Sequence, residues 1–439
     1  MQLVAYGAQD IYLTGNPQIT FFKVVYRRHT NFSMEAIQQT FNGSTGTGES
    51  VLTTTISRNG DLVSNLWLDV TLNAVPDMTG AAEYNPTAAP SDPVNYTNWT
   101  NNTGHAFVKE CEIEIGGQRI DRHYSQWLDV HNELTDHHES EWKGLNKHES
   151  KDYLKSNLTD AASSKTAADK NRLYIPLKFW FCRNPGLALP LIALQYHEVK
   201  IILTTRTISA LVNSSGDFTL ADTSGLTPDV ELWADYIYLD TDERRRFAQV
   251  SHEYLIEQVQ REENAASPDV TLNFNHPVKE LIWVNQSDSV AEEKTGNTNA
   301  YADVEPTALT HGNDYFNYNG RSGEVEPEII ACQTSNESFG KMKLQLNGHD
   351  RFATRSASYF RLCQPIQAGH RVPSKHIYCY SFALKPEEHQ PSGTCNFSRI
   401  DNAKMIFEGG VSPGTLTVYA INYNVLRIMS GMGGLAYSN

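Results

Sequence analysis

Glu110-Cys-Glu-Ile-Glu-Ile-Gly-Gly117 and Lys343-Leu-Gln-Leu-Asn-Gly348 are the two stretches on which the fold turns. In the first, Cys111, Ile113 and Ile115 alternate with Glu110, Glu112 and Glu114; in the second, Leu344 and Leu346 alternate with Lys343 and Gln345. A period of two puts apolar side chains on one face of a strand and charged ones on the other. Each strand then runs into a dipeptide, Gly116-Gly117 or Asn347-Gly348, that supplies the positive φ a two-residue hairpin turn needs. Two hairpins of one design, 231 residues apart from Gly117 to Gly348, suggest a chain that repeats itself.

Reading outward from the hairpins supports that. Upstream, Val63-Ser-Asn-Leu-Trp-Leu-Asp-Val70 resembles Val278-Lys-Glu-Leu-Ile-Trp-Val284 at an offset of 215, and a long polar stretch (73–105, 286–339) follows each before the hairpin. Downstream, strands at 173–181 and 376–384 lead to turns at Pro185 and Pro391, 206 residues apart, and then to a further strand. In the earlier of these, Leu173, Ile175, Leu177, Phe179 and Phe181 alternate with Tyr174, Lys178 and Trp180. Four features recur in the same order at an offset near half of 439 residues. The spacing predicts an all-β chain of two consecutive eight-stranded antiparallel jelly rolls, residues 21–240 and 255–437, with a charged linker at 241–254. Long loops separate defined strand pairs. Helix is expected only in a small insertion at 125–160, where Trp127, Leu128, His131 and Leu134 have helical spacing, and at 241–250.

Composition narrows the function classes. A chain of 439 residues, 40% hydrophobic, fits two large soluble domains. Its net charge of −15 leaves no surplus of Lys and Arg for phosphates, so direct nucleic-acid binding is not expected. No apolar run approaches the roughly 20 residues that cross a bilayer. Met1 to Tyr6 lacks the basic start and long apolar run of a signal peptide. Cys111, Cys182, Cys332, Cys363, Cys379 and Cys395 form no CxxC pair and read as buried reduced thiols.

The search for chemistry is mostly negative. Gly43-Ser-Thr-Gly-Thr-Gly48 lacks the Lys of a phosphate-binding loop, and Ser430-Gly-Met-Gly-Gly434 is no dinucleotide fingerprint. His131, His137, His138 and His148 cluster with Glu133, Asp136, Glu139 and Glu141, but without metal-ligand spacing; a solvated helical stretch is the simpler reading. Glycoside hydrolysis needs carboxylates about 5–10 Å apart, whereas Glu110, Glu112 and Glu114 are what an acidic amphipathic strand carries anyway. No catalytic residue, cofactor or metal is therefore expected, and the chain reads as a non-enzyme. Asn-x-Ser/Thr sites are dense, and Asn95, Asn98, Asn101, Asn285 and Asn336 are the candidate glycosylation positions. Arg27-Arg28 and Arg244-Arg245-Arg246 are the only basic runs and suggest a subunit contact or a helix-end partner. A second reading is a glycan-binding or glycan-cleaving β-sandwich using Tyr96, Trp99, Tyr315 and Tyr318.

Longer stretches carry a family resemblance. Leu3-Val-Ala-Tyr-Gly-Ala-Gln-Asp-Ile-Tyr-Leu-Thr-Gly-Asn-Pro-Gln-Ile-Thr-Phe-Phe-Lys23 resembles the N-terminus of the major capsid proteins of nucleocytoplasmic large DNA viruses, nearest the algal virus (phycodnavirus) branch. So do Pro185-Gly-Leu-Ala-Leu-Pro190, Gln390-Pro-Ser-Gly-Thr-Cys-Asn-Phe-Ser-Arg-Ile-Asp-Asn402 and Asn422-Tyr-Asn-Val-Leu-Arg-Ile-Met-Ser-Gly-Met-Gly-Gly-Leu-Ala-Tyr437. Loops 78–104, 135–172 and 286–338 match nothing comparable. The resemblance implies a double jelly roll, a homotrimer forming a pseudo-hexagonal capsomer, and neighbouring capsomers tiling an icosahedral shell in the virion. It also implies an N-terminal arm, residues 1–20, on the inner side near minor capsid proteins and an internal viral membrane. No direct nucleic-acid contact is implied, and assembly would take place in host cytoplasm.

Overall fold

A computed structural model describes residues 29–72, 97–100, 102–136, 172–214, 227–287, 313, 315–318 and 337–437. Among them, the first half carries eight strands of five residues or more: β1 Phe32–Gln39, β2 Ser50–Thr55, β3 Leu62–Thr71, β4 Val108–Ile115, β5 Gln118–Tyr124, β6 Arg172–Pro176, β7 Val199–Thr205 and β8 Asp229–Leu239. They form two antiparallel sheets, ordered β1-β8-β3-β6 and β2-β7-β4-β5. The second half supplies β9 His252–Ala265, β10 Asp269–Leu272, β11 Pro277–Gln286, β12 Phe339–Leu346, β13 His349–Asp350, β14 Tyr378–Ser381, β15 Ala403–Val411 and β16 Thr415–Met429. Their sheets run β9-β16-β11-β14 and β10-β15-β12-β13, the order of the first half with eight added to every label. This is the jelly roll, twice. A short strand, β17 Met432–Leu435, extends β16.

The two hairpins behave as their turn residues require. Ile115 pairs with Gln118 and Leu346 with His349, and all four turn residues have positive φ: Gly116 59°, Gly117 82°, Asn347 49° and Gly348 80°. Asn347 tolerates this because its side-chain oxygen accepts the N–H groups of Asp401 and Asn402. Gly116 has a further constraint: a Cβ there would lie 2.3 Å from His197 Nδ1, whereas a Cβ on Gly117 would meet nothing within 4 Å.

Among the described residues, four helices serve the first half and the joint, α1 Thr103–Phe107, α2 Ser125–Thr135, α3 Trp180–Arg183 and α4 Thr241–Gln249, and a further short helix, Gln364–Ala368, lies in the second half. The strand expected at 173–181 stops at Pro176, which pairs with Trp67 but has no N–H to extend a ladder. Leu177 still donates to Leu66, and α3 then turns Trp180 and Phe181 inward together with Phe179, an unbroken burial no alternating strand allows. The helix expected over 125–160 is α2 as far as Thr135; residues 137–171 lie outside the described residues. It is not a solvated helix, since Trp127, Asp129, His131, Asn132 and Glu133 are all buried. Of the segment 241–254, the first nine residues form α4 and residues from His252 onward already belong to β9.

The inner strands of the sheet β9-β16-β11-β14, β16 and β11, are buried on both faces over most of their length. On β11, Val278, Leu281 and Trp283 pack into the core of the second sandwich, while Ile282 and Val284 join the core of the first. On β16, Leu416, Val418 and Ala420 face the second core; Tyr419 and Ile421 face the first. That explains the unbroken apolar run from Leu281 to Val284, which a half-exposed strand would not show. Against this sheet the first half lays α2, β5 and α3: the Trp127 ring lies 5.1 Å from that of Tyr419, tilted at 45°, and the Gln258 amide donates to the Ile120 carbonyl.

This packing makes two outcomes testable. Because the halves share one core, calorimetry should show a single unfolding transition, and Trp127→Ala should lower its stability by about 3–5 kcal/mol without splitting it. Two resolved transitions would contradict a shared core. Gly117→Ala should cost only the left-handed strain of about 1–2 kcal/mol, and Gly116→Ala measurably more, in denaturant titrations of the two variants.

Candidate functional site

The seam between the halves gathers the buried charges. Asp129 on α2 is 0% exposed; Lys375 Nζ lies 2.9 Å from both its carboxylate oxygens, and Tyr318 Oη and Asn102 Nδ2 each donate at 2.9 Å. Such satisfaction is what makes a buried carboxylate tolerable. Asn102 also touches His105, whose pKa burial, reinforced by Lys178 and Lys375, pushes down to about 3. Glu133, one turn of α2 further on, accepts from the Ser374 hydroxyl. The cluster therefore ties α2 of the first half to residues 374–375 of the second and to the connection that carries Tyr318.

A second cluster centres on β11. Lys279 and Arg183 converge on Glu257 at 2.8 and 2.9 Å. Beside them His370 is held between Glu280 and Glu387, at 2.8 and 2.7 Å. Burial alone would lower the His370 pKa, but the two carboxylates outweigh it and raise it to about 9. Glu280 is likewise kept below the usual carboxylate range: burial works against this, and His370 overcomes it. All of these groups but Glu257 line a cleft of about 440 Å³ between the halves, beside Trp67, Leu177 and Ile421. The carboxylates there are engaged by cations, so the geometry serves cohesion rather than proton transfer to a substrate.

The strand registers give the molecule two distinct ends. Thr71 pairs with both Arg172 and Asp229, and Gln286 with Thr415, so residues 72–97, 136–172, 214–229 and 287–339 depart from and return to one end. The other end carries both hairpin turns, the start of β1 opposite Leu239, α4, and the β16–β17 turn. The halves share this polarity: Tyr196 donates its N–H to Gly431 at the turn end, while Gln126 donates to Gln286 toward the loop end. Among the described residues, strand β1 is an open edge, with Phe32 61% and Met34 53% exposed.

The sequence candidates fall out unevenly. Asn95, Asn101 and Asn336 lie outside the described residues, and Asn98 is described only as part of the strand Thr97–Trp99. Asn285 is corrected: it is 4% exposed on β11 and donates its amide to the Ser412 carbonyl, a place no sugar can reach in the folded chain. Of the four aromatics of the glycan-site reading, Tyr315 and Tyr318 are buried and donate to the Ala210 carbonyl and Asp129, Tyr96 lies outside the described residues, and Trp99 is described only as part of the strand Thr97–Trp99. Tyr315 and Tyr318 anchor a connection instead. Among the described cysteines, Cys111 and Cys379 are buried, but Cys363 is exposed, against expectation. Burial raises the Cys182 thiol to about 12. Of the basic run, Arg244 pairs with the buried Asp61 at 3.0 Å, which fixes α4 to the first sandwich. Sequence reasoning missed the seam itself, whose one signal is Lys279 and Glu280, two adjacent charges inside an otherwise apolar strand.

Comparison with known proteins completes the picture. A family profile described as major capsid protein N-terminus matches residues 20–240, and one described as large eukaryotic DNA virus major capsid protein matches residues 243–434. The major capsid protein of Pyramimonas orientalis virus is 48% identical over 469 aligned positions, covering 100% of this chain and 99% of that protein. That of Paramecium bursaria Chlorella virus 1 is 42% identical with the same coverage. The chain of a quasi-atomic model of the PBCV-1 virus capsid superposes with a TM-score of 0.71 at 36% identity, covering 96% of this chain and 100% of that one. The Faustovirus major capsid protein reaches the same TM-score at 13% identity, covering 97% and 94%, a likeness of fold alone. Two profiles that together span both sandwiches, and relatives aligned end to end at more than 40% identity, make this chain a member of the large eukaryotic DNA virus major capsid protein family.

Proposed function

We propose that the chain is the shell-building subunit of an icosahedral large DNA virus, and that three copies form a homotrimer whose six sandwiches make one pseudo-hexagonal capsomer. One observation carries this: two sandwiches of identical strand order stand side by side with the same polarity, fused through a sheet whose inner strands have no free face. Three such blocks around an axis present six near-equivalent sides, which suits a hexagonal lattice built from one protein. The open edge at β1, with its exposed Phe32 and Met34, is a side that a neighbouring copy would cover.

In this reading the loop end faces outward, and Asn95, Asn98, Asn101 and Asn336 are the candidates to carry sugar there. The turn end faces inward, with residues 1–20 as an arm toward minor capsid proteins and the internal membrane. The protein works by self-association in the capsid shell, not by catalysis, after assembly in host cytoplasm. Its charge of −15 keeps the shell surface soluble and argues against a direct genome contact.

Light scattering on the purified protein should give three times 49.3 kDa; a stable monomer at micromolar concentration would sink the trimer. The seam also sets a pH window. His105 and His376, pushed down by burial to about 3 and about 4, titrate near 6.5 when unfolded, so their contribution is complete above about pH 6.5 and lost as pH falls. His370, raised to about 9, contributes fully below about pH 6.5, and that contribution is lost as pH rises through 9. The unfolding temperature should therefore peak near pH 6 to 7, and His370→Gln should flatten the alkaline limb between pH 7 and 9. An unchanged limb in that variant would contradict the assignment.

A further inference from the structure

A groove of about 490 Å³ opens at the turn end, where three separate parts of the chain meet. Tyr196 comes from the first sandwich, Ala248 and Val250 from the end of α4, and Ile428, Met429 and Gly431 from the turn after β16. Its architecture is specific. The Tyr196 N–H donates to the Gly431 carbonyl at 2.9 Å, and Gly431, with φ 81°, leaves the room that a Cβ would take 2.6 Å from the Tyr196 ring. Large apolar side chains stand exposed on the rim, Tyr196 75%, Val250 54% and Met429 49%, with Met432 beside them, and Gln195, Gln249, Ser251 and Ser430 lie between them. No charged side chain lines it among the described residues, and no residue of α4 is buried. An uncharged concavity held in place by its own hydrogen bond and rimmed with exposed apolar side chains is a docking surface.

Position and chemistry identify the occupant. The chain enters β1 at Phe32, paired with Leu239, directly before α4. Nine helical residues span about 13 Å, and the ten residues from 22 to 32 reach up to about 33 Å, so residues before 23 can reach Val250. Residues 1–28 carry charges only at Asp10, Lys23, Arg27 and Arg28, which leaves Ile11-Tyr-Leu-Thr-Gly-Asn-Pro-Gln-Ile-Thr-Phe-Phe22 uncharged and rich in large apolar side chains. We propose that residues 11–22 of the same chain dock in the groove formed by Tyr196, Val250 and Met429. Tethering raises their effective concentration far above that of any free partner, and the methionine adapts its shape to aromatic guests. This docking does not depend on the trimer: it is made within one chain and precedes assembly.

The test uses the full-length protein with Val250 replaced by p-benzoylphenylalanine, as a mixture of ¹⁴N- and ¹⁵N-labelled chains. Irradiation and peptide mapping should find cross-links to residues 11–22 bearing the same label. Cross-links only to the other label, only to other regions, or none above background would overturn the proposal. In parallel, Met429→Asp should speed tryptic cleavage after Lys23 about threefold or more, because cleavage tracks the population of the open segment, with the global unfolding temperature unchanged. An unaltered cleavage rate would overturn it too. Light scattering on the same samples reports the trimer separately, so the two ideas fail independently.

Discussion

The inner strands of the sheet β9-β16-β11-β14 have no solvent face, and most of what the molecule does rests on that constraint. A jelly roll alone needs one buried and one wet face per sheet. Here the wet face of one sheet is covered by α2, β5 and α3 of the other half, so Ile282, Val284, Tyr419 and Ile421 belong to a core that is not their own sandwich's. The halves cannot separate without exposing it. The molecule is therefore a rigid block with two similar sides and two dissimilar ends.

Burying strands on both faces creates a polar problem, which the seam resolves with charge. Lys279, Glu280 and Glu257 sit on strands inside the covered layer, and each finds a partner: Arg183 reaches Glu257 from the first half, and His370 closes on Glu280 from the second. Asp129 takes Lys375 across the seam. Pairs of this kind add less to net stability than apolar contacts of the same size, but breaking one partner is costly. They hold the halves in one register, which a lattice of repeated contacts requires more than it requires extra stability.

Much of the fold is legible in the sequence. Gly116-Gly117 and Asn347-Gly348 locate matching hairpins because only positive φ makes that turn, and alternating apolar positions match β3 with β11. The departure at 177–181 has a plain cause: Leu177, Phe179 and Phe181 alternate on paper, but Trp180 is buried as well, and a helical turn buries all three aromatic residues together. The seam is harder to read. Asp129, His131 and Glu133 look like the solvated polar positions of a surface helix, and only the packing of both halves around α2 turns those positions into an interior. Asn285 misleads for the same reason, as its sequon says nothing about the strand packed over it.

The central claim is that this block, in threes, is the tile of a shell, with its loop end outward. A cryo-electron reconstruction of particles carrying the chain tests it most directly. The account predicts threefold capsomers of six upright sandwiches, each chain supplying two, with residues 72–97 and 287–339 at the outer surface and α4 beneath. Capsomers built from six chains, or α4 on the outer surface, would contradict it.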